Sequence, residues 1–143
     1  MEKIIQTITA LIAGICGFLW GDLDGLLYAL ISFIIFDYIS GVLVAIAQKK
    51  LSSEVGFKGI AKKVFILMLV AVGHLLDIYI LGGGAVLRSM VIGFYLANEG
   101  ISIVENAAKL GLPFPKKLIA VLEQLKNKND KEDMKEEEKD ERN

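Results

Sequence analysis

The sequence predicts an all-α integral membrane protein with about four antiparallel transmembrane helices, three being the alternative count, then a short cytoplasmic amphipathic helix and a disordered charged tail. Three observations lead there. Four apolar blocks, Ile4–Trp20, Leu26–Ala47, Val64–Leu81 and Ala85–Val104, run for 17, 22, 18 and 20 residues with few charges or none. A bilayer core of about 30 Å takes about 20 helical residues, so all four are long enough. The charges are also segregated, with 16 charged side chains in residues 1–111 and 17 in residues 112–143, as in a membrane body carrying a solvated tail. Finally, no stretch between the blocks is long enough for a soluble core, and backbone buried in lipid must satisfy its own hydrogen bonds as helix.

Block one is the least apolar, because Gln6, Thr7 and Thr9 fall within it; in the three-span form it lies on the membrane surface. Glu2 offsets Lys3 and no small-residue cleavage site follows, so the block is expected to be mature structure. Its Ala10, Gly14, Gly17 and Gly21 form a flat face of the kind that lets helices approach closely in lipid. Gly41 with Ala45 and Gly93 with Ala97 repeat the device in blocks two and four. Cys16, the single cysteine, reads as a small apolar residue, since it can form no intramolecular disulfide.

The linker 48–63 holds Lys49, Lys50, Lys58, Lys62 and Lys63 against Glu54 alone, whereas Gly21–Gly25 holds only Asp22 and Asp24 and the turn Gly82–Gly84 is uncharged. The positive-inside rule places the basic linker, and with it both termini, in the cytoplasm. After block four the helix is expected to continue to Leu110 and stop at Gly111, Pro113 and Pro115. Leu118, Ile119, Val121, Leu122 and Leu125, interleaved with Lys116, Lys117, Glu123 and Lys126, give an amphipathic helix suited to the membrane surface. Residues 127–143 hold 13 charges, and Met134 is their one sizeable apolar residue, a composition that cannot offset the entropy of folding. The expected organisation is therefore a membrane domain over 1–111, the amphipathic helix over 112–126 and a disordered tail over 127–143.

An ionisable side chain at mid-membrane costs about 2.5–3.5 kcal/mol on insertion scales, which singles out Asp37, Asp77, Arg88 and Glu99. Ser40 and Gly41 follow Asp37 by one turn, and His74 stands three residues before Asp77, within reach of a shared hydrogen bond or proton. Arg88, Tyr95, Glu99, Ser102 and Asn106 fall on one stripe at about 100° per residue, which should face other helices. Two roles fit this set: fixing helix register as intramembrane pairs, with Arg88 reaching headgroups, or lining a water-accessible face of a transporter or an oligomeric pore. The sequence contains no G-x-S-x-G, H-E-x-x-H, P-loop or Cys/His ligand array, so neither catalysis, a metal nor a cofactor is expected. The lysines are accounted for by orientation and the tail is net negative, so no nucleic-acid partner is expected either.

Several local patterns coincide with those of one family. DYISGVLVAI (Asp37–Ile46), KKLSSEVGFKGIAKK (Lys49–Lys63), HLLD (His74–Asp77) and LRSMVIGFYLANEGISIVENAAKLGLPFPKKL (Leu87–Leu118) together resemble the phage holin family that includes the clostridial toxin-secretion holins. The most specific pieces are S-S-x-x-G-F-K-G at Ser52–Gly59, N-E-G-x-S-x-x-E-N at Asn98–Asn106 and G-L-P-x-P-K-K-L at Gly111–Leu118. The resemblance covers roughly residues 30–125. It implies a small protein that accumulates in the host cytoplasmic membrane, assembles with copies of itself, and permeabilises the membrane to an endolysin or an exported toxin. Asp37, Gly41, His74, Asp77, Arg88, Glu99, Ser102 and Asn106 are then the candidates for assembly or pore lining. Family members are often drawn with three spans, one fewer than the charge-based count. A small proton-coupled transporter, with Asp37, His74, Asp77 and Glu99 carrying protons, is the alternative function, and a membrane scaffold whose tail recruits a partner is a third.

Overall fold

The computed structural model describes residues 1–124 and 127, and the expected disordered tail otherwise lies outside the described residues. Four long helices follow the apolar blocks: α1 Glu2–Trp20, α2 Gly25–Ala47, α3 Ser53–Tyr79 and α4 Val86–Lys109. A fifth helical segment, α5, covers 116–124 after the Pro113 and Pro115 break. By length and composition α1, α2 and α3 are apolar enough to cross a membrane. The fourth falls short because Arg88, Glu99 and Asn106 lie in it, and all three are buried inside the bundle.

The helix ends follow from local chemistry. Asp24 caps α2 by accepting from Leu27 N–H, and Ser52 caps α3 by accepting from Val55 N–H, each taking one of the donors a helix start leaves unpaired. The Ser52 cap starts α3 twelve residues before Val64, so most of the lysine-rich linker is helical and only residues 48–52 connect α2 to α3. Gly82, Gly83 and Gly84 all have positive φ, between 78° and 118°, a conformation that side chains with a Cβ rarely adopt. They reverse the chain between α3 and α4.

The bundle consists of α2, α3 and α4. Helix α4 runs parallel to α2, as the pairs Asp24–Arg88, Phe33–Gly100 and Asp37–Asn106 advance together, and antiparallel to α3, as Gly73–Arg88 and Lys63–Glu99 show. Close approach is bought with glycine: a Cβ on Gly73 would stand 3.1 Å from Arg88 N, and one on Gly59 would stand 3.2 Å from the Tyr38 ring. The core at the centre comprises Leu27, Leu30, Ile34, Ile66, Val70 and Ile92. Leu122 of α5 packs back on this bundle, where a Cβ on Gly100 would stand 2.8 Å from its Cδ2.

Helix α1 is different. None of its residues is buried, residues 1–15 are exposed all round, and Gly14 and Gly17 have no neighbouring atom within 4 Å of where a Cβ would be. It is held at its last turn, where Phe18 meets Tyr79, Trp20 donates to Leu67 O at 2.7 Å and Gly21 lies against His74.

Candidate functional site

The polar residues singled out by the sequence separate into two clusters. The first joins the α1–α2 turn to the start of α4. Arg88, 3% exposed, donates from Nε to Trp20 O at 2.7 Å, from Nη2 to Asp22 O at 2.8 Å and from Nη1 to Asp24 Oδ2 at 2.6 Å. A cation at the open carbonyl end of α1 also complements its helix dipole. The Arg88 hydrogen bond holds the Asp24 carboxyl below its ordinary range, against a smaller opposing effect of burial. Arg88 is therefore an internal clamp and does not reach for headgroups.

Asp77 is 1% exposed, and its two oxygens accept from Leu87 N–H at 3.0 Å and Arg88 N–H at 2.9 Å. Ala85, at the N-cap position of α4, has no side chain able to do this, so α3 caps α4 from outside. The His74–Asp77 hydrogen bond that the spacing allows does not form; the α4 amides occupy the carboxylate. His74 is buried against Gly21, and its Nδ1 has no hydrogen-bond partner among the described residues.

The second cluster lies about 16 Å further along α4, taking 1.5 Å for each residue from 88 to 99. Lys63 from α3 inserts its ammonium between Asp37 of α2 and Glu99 of α4, and pairs with both. Asn106 donates to Asp37 Oδ1 at 3.3 Å and to Ser40 Oγ at 3.0 Å, and its amide lies beside Gly41. With its one ammonium set against two carboxyl groups, this cluster holds more acidic than basic side chains. A cavity of about 240 Å³ opens beside it, lined by Asp37, Gly41, Lys63, Ser102 and Asn106 together with Tyr38.

Asp37, Gly41, Glu99, Ser102 and Asn106 are thus brought together, and His74, Asp77 and Arg88 form a separate group. Between them lies the apolar layer in which Leu30, Val70 and Ile92 are 0% exposed. Lys63 was missed by sequence reasoning because it counted among the orienting lysines. The available signal was Lys63 standing in register with Gly56, Gly59, Ile66 and Val70 at spacings of three and four, the face of α3 that the bundle covers. Asp24 and Trp20 were missed too, as loop and block end.

A model of the bacteriophage holin family matches residues 14–127. The chain belongs to the bacteriophage holin family. A probable holin of Bacillus phage phi105 is 34% identical over 67% of this chain and 70% of its own length. An uncharacterized protein of Listeria monocytogenes is 48% identical over 82% of this chain and 84% of its own. An uncharacterized 14.9 kDa protein in the nagH 3' region of Clostridium perfringens is 43% identical over 77% and 83%. No solved structure matches. The holin family is one of pore-forming membrane proteins rather than enzymes, and three helices of spanning length make this member a multi-pass membrane protein.

Proposed function

We propose that this holin accumulates in a bacterial cytoplasmic membrane and, by assembling copies of itself, permeabilises it so that an endolysin or a protein toxin can pass. The observation that carries the reading is the sealed monomer. Two polar clusters stand on either side of a dry layer of Leu30, Val70 and Ile92, so one copy offers no continuous polar path. A lesion wide enough for protein then requires several copies, whose Asp37, Lys63 and Glu99 exchange each other for water as the helices separate. Solvating charged groups favours that state, since their place in the monomer depends wholly on mutual pairing.

The split also weighs against the transporter. His74 and Asp77 are divided from Asp37 and Glu99 by the apolar layer and do not form one proton relay. In the proposed orientation the end bearing Lys49, Lys50, Lys58, Lys62 and Lys109 is cytoplasmic, as are both termini. Reporter fusions after Leu23, Glu54 and Gly83 should read external, internal and external; an internal signal at Leu23 would instead support the three-span form.

Inducible expression in a bacterium, with and without a co-expressed cytoplasmic endolysin, tests the function. Abrupt loss of viability and wall degradation that requires both proteins are expected. Saturable uptake of a small solute with full viability would overturn the holin reading.

A further inference from the structure

Along α3, on the side flanked by Tyr95 and Asn98 of α4, two rows of residues run side by side at four-residue spacing. One is Phe57, Ala61 and Phe65; the other is Lys58, Lys62 and Ile66. Ala61 leaves a trough between the two phenylalanine rings, and Tyr95 and Asn98 of α4 form its far wall. The result is a groove of about 640 Å³. Phe57 and Phe65 are 72% and 64% exposed, so nothing among the described residues covers the trough. Its chemistry changes along its length. Towards the basic end of the bundle lie two lysines one turn apart, about 6 Å between Cβ atoms. About 10 Å further on, at 1.5 Å per residue, its walls are Phe65, Ile66 and Tyr95.

Lys63 and Glu99 also border the groove, but their charges are spent on each other and on Asp37. Lys58 pairs with Glu54 on the exposed surface, while Lys62 is exposed and has no ion pair among the described residues. A cationic end beside an aromatic trough, on a helix that spans the membrane, matches one ligand class. We infer that this groove is a binding site for an anionic phospholipid, whose phosphate sits between Lys58 and Lys62 and whose acyl chain lies over Ala61 between Phe57 and Phe65. Charge complementarity selects the headgroup, because basic pockets on the cytoplasmic side of membrane helices attract anionic lipid. The apolar trough selects a lipid over a free phosphate.

The test uses the purified full-length chain in detergent, offered equal amounts of phosphatidylglycerol and phosphatidylcholine with the same acyl chains, with retained lipid counted by native mass spectrometry. A preference for phosphatidylglycerol of about tenfold is expected from two lysines at partly screened range. The Lys58→Gln/Lys62→Gln variant should fall to within about twofold of no preference. Ala61→Leu, which fills the trough, should reduce retention of phosphatidylglycerol about fivefold at unchanged helicity. Lys49→Gln/Lys50→Gln removes the same charge outside the groove and should keep the wild-type preference.

Equal retention of the two lipids by the wild type would overturn the inference, as would an equal loss in the Lys49/Lys50 variant. Displacement of the lipid by millimolar inorganic phosphate would overturn it too, since the trough would then contribute nothing. The readout is binding to purified protein, so it stands or falls independently of whether the chain lyses cells.

Discussion

Replacing Lys63 with methionine removes the single cation between Asp37 and Glu99 while keeping a side chain of similar length. The three side chains are 15%, 12% and 8% exposed, so water in the adjoining cavity can solvate the carboxylates only in part. Removing one partner of a buried ion pair costs about 3–5 kcal/mol. Lys63→Met should therefore lose about 3–4 kcal/mol, far above the ~0.6 kcal/mol average of a hydrogen bond between membrane helices. Adding Asp37→Asn and Glu99→Gln removes the stranded charges, and the triple variant should return to within about 1 kcal/mol of the parent. Unfolding in mixed micelles of rising dodecyl sulfate content measures this. The emission of Trp20, the one tryptophan, reports the docking of the α1–α2 turn. A loss below about 1 kcal/mol for Lys63→Met, or a triple variant no more stable than the single, would refute the cluster as a charge-pairing centre.

Gly73→Ala places a Cβ 3.1 Å from Arg88 N and 3.2 Å from Leu87 C, backbone that Asp77 holds in place. Overpacking of about 1–3 kcal/mol, less about 1 kcal/mol of helix propensity, predicts a net loss of up to about 2 kcal/mol in the same titration. At Gly41 the new Cβ would meet Asn106 Nδ2 at 3.7 Å, an ordinary contact, so Gly41→Ala should be neutral or slightly stabilising. Equal effects at the two positions would contradict the α3–α4 register. Asp24→Asn keeps the α2 cap but weakens the Arg88 clamp. Asp24 is 42% exposed, so after discount for solvent screening the cost is on the order of 1 kcal/mol. Arg88 lowers the folded-state pKa of Asp24 below the ordinary 3.8, so its contribution is complete above that value and is lost as pH falls through the folded value. The stability gap between parent and Asp24→Asn should hold from pH 7 to 5 and close below 3.8; a gap that persists in acid would exclude the charge as its source. Truncation after Lys126 removes a segment of net charge −3, and killing after induction should be preserved. Loss of membrane insertion in the truncated chain would show that the tail is required.

Hydropathy and charge made the helices legible, because burying a polar backbone in lipid leaves few alternatives to helix. They did not reveal which helices pack. Helix α1 is apolar enough to cross a membrane and yet stands off, since packing among apolar helices depends on shape, and its Gly14 and Gly17 face meets nothing among the described residues. The α4 stripe was readable from 3.6-residue periodicity, and Arg88, Glu99 and Asn106 are indeed buried. The partners of those residues were not readable. Asp77 stands within reach of His74, three residues away on its own helix, but the free amides at the start of α4 donate to both of its carboxylate oxygens. Lys63 was absorbed into a collective charge count, where a single lysine inside the bundle looks like the others outside it.

The polar interior of α4 has a consequence for how the protein is made. Arg88 and Glu99 each cost about 2.5–3.5 kcal/mol to insert, while an apolar residue returns only about 0.3–0.6 kcal/mol, so the roughly ten large apolar residues of α4 do little more than cancel the charges. Entry of this helix as an isolated segment is close to break-even. Its neutralising contacts are supplied by Lys63 and Asp77 of α3, by Asp37 of α2 and by the α1–α2 turn, all of which leave the ribosome earlier. Being translated last of the four long helices, α4 meets a membrane in which its partners already wait, and its insertion and its docking become one event.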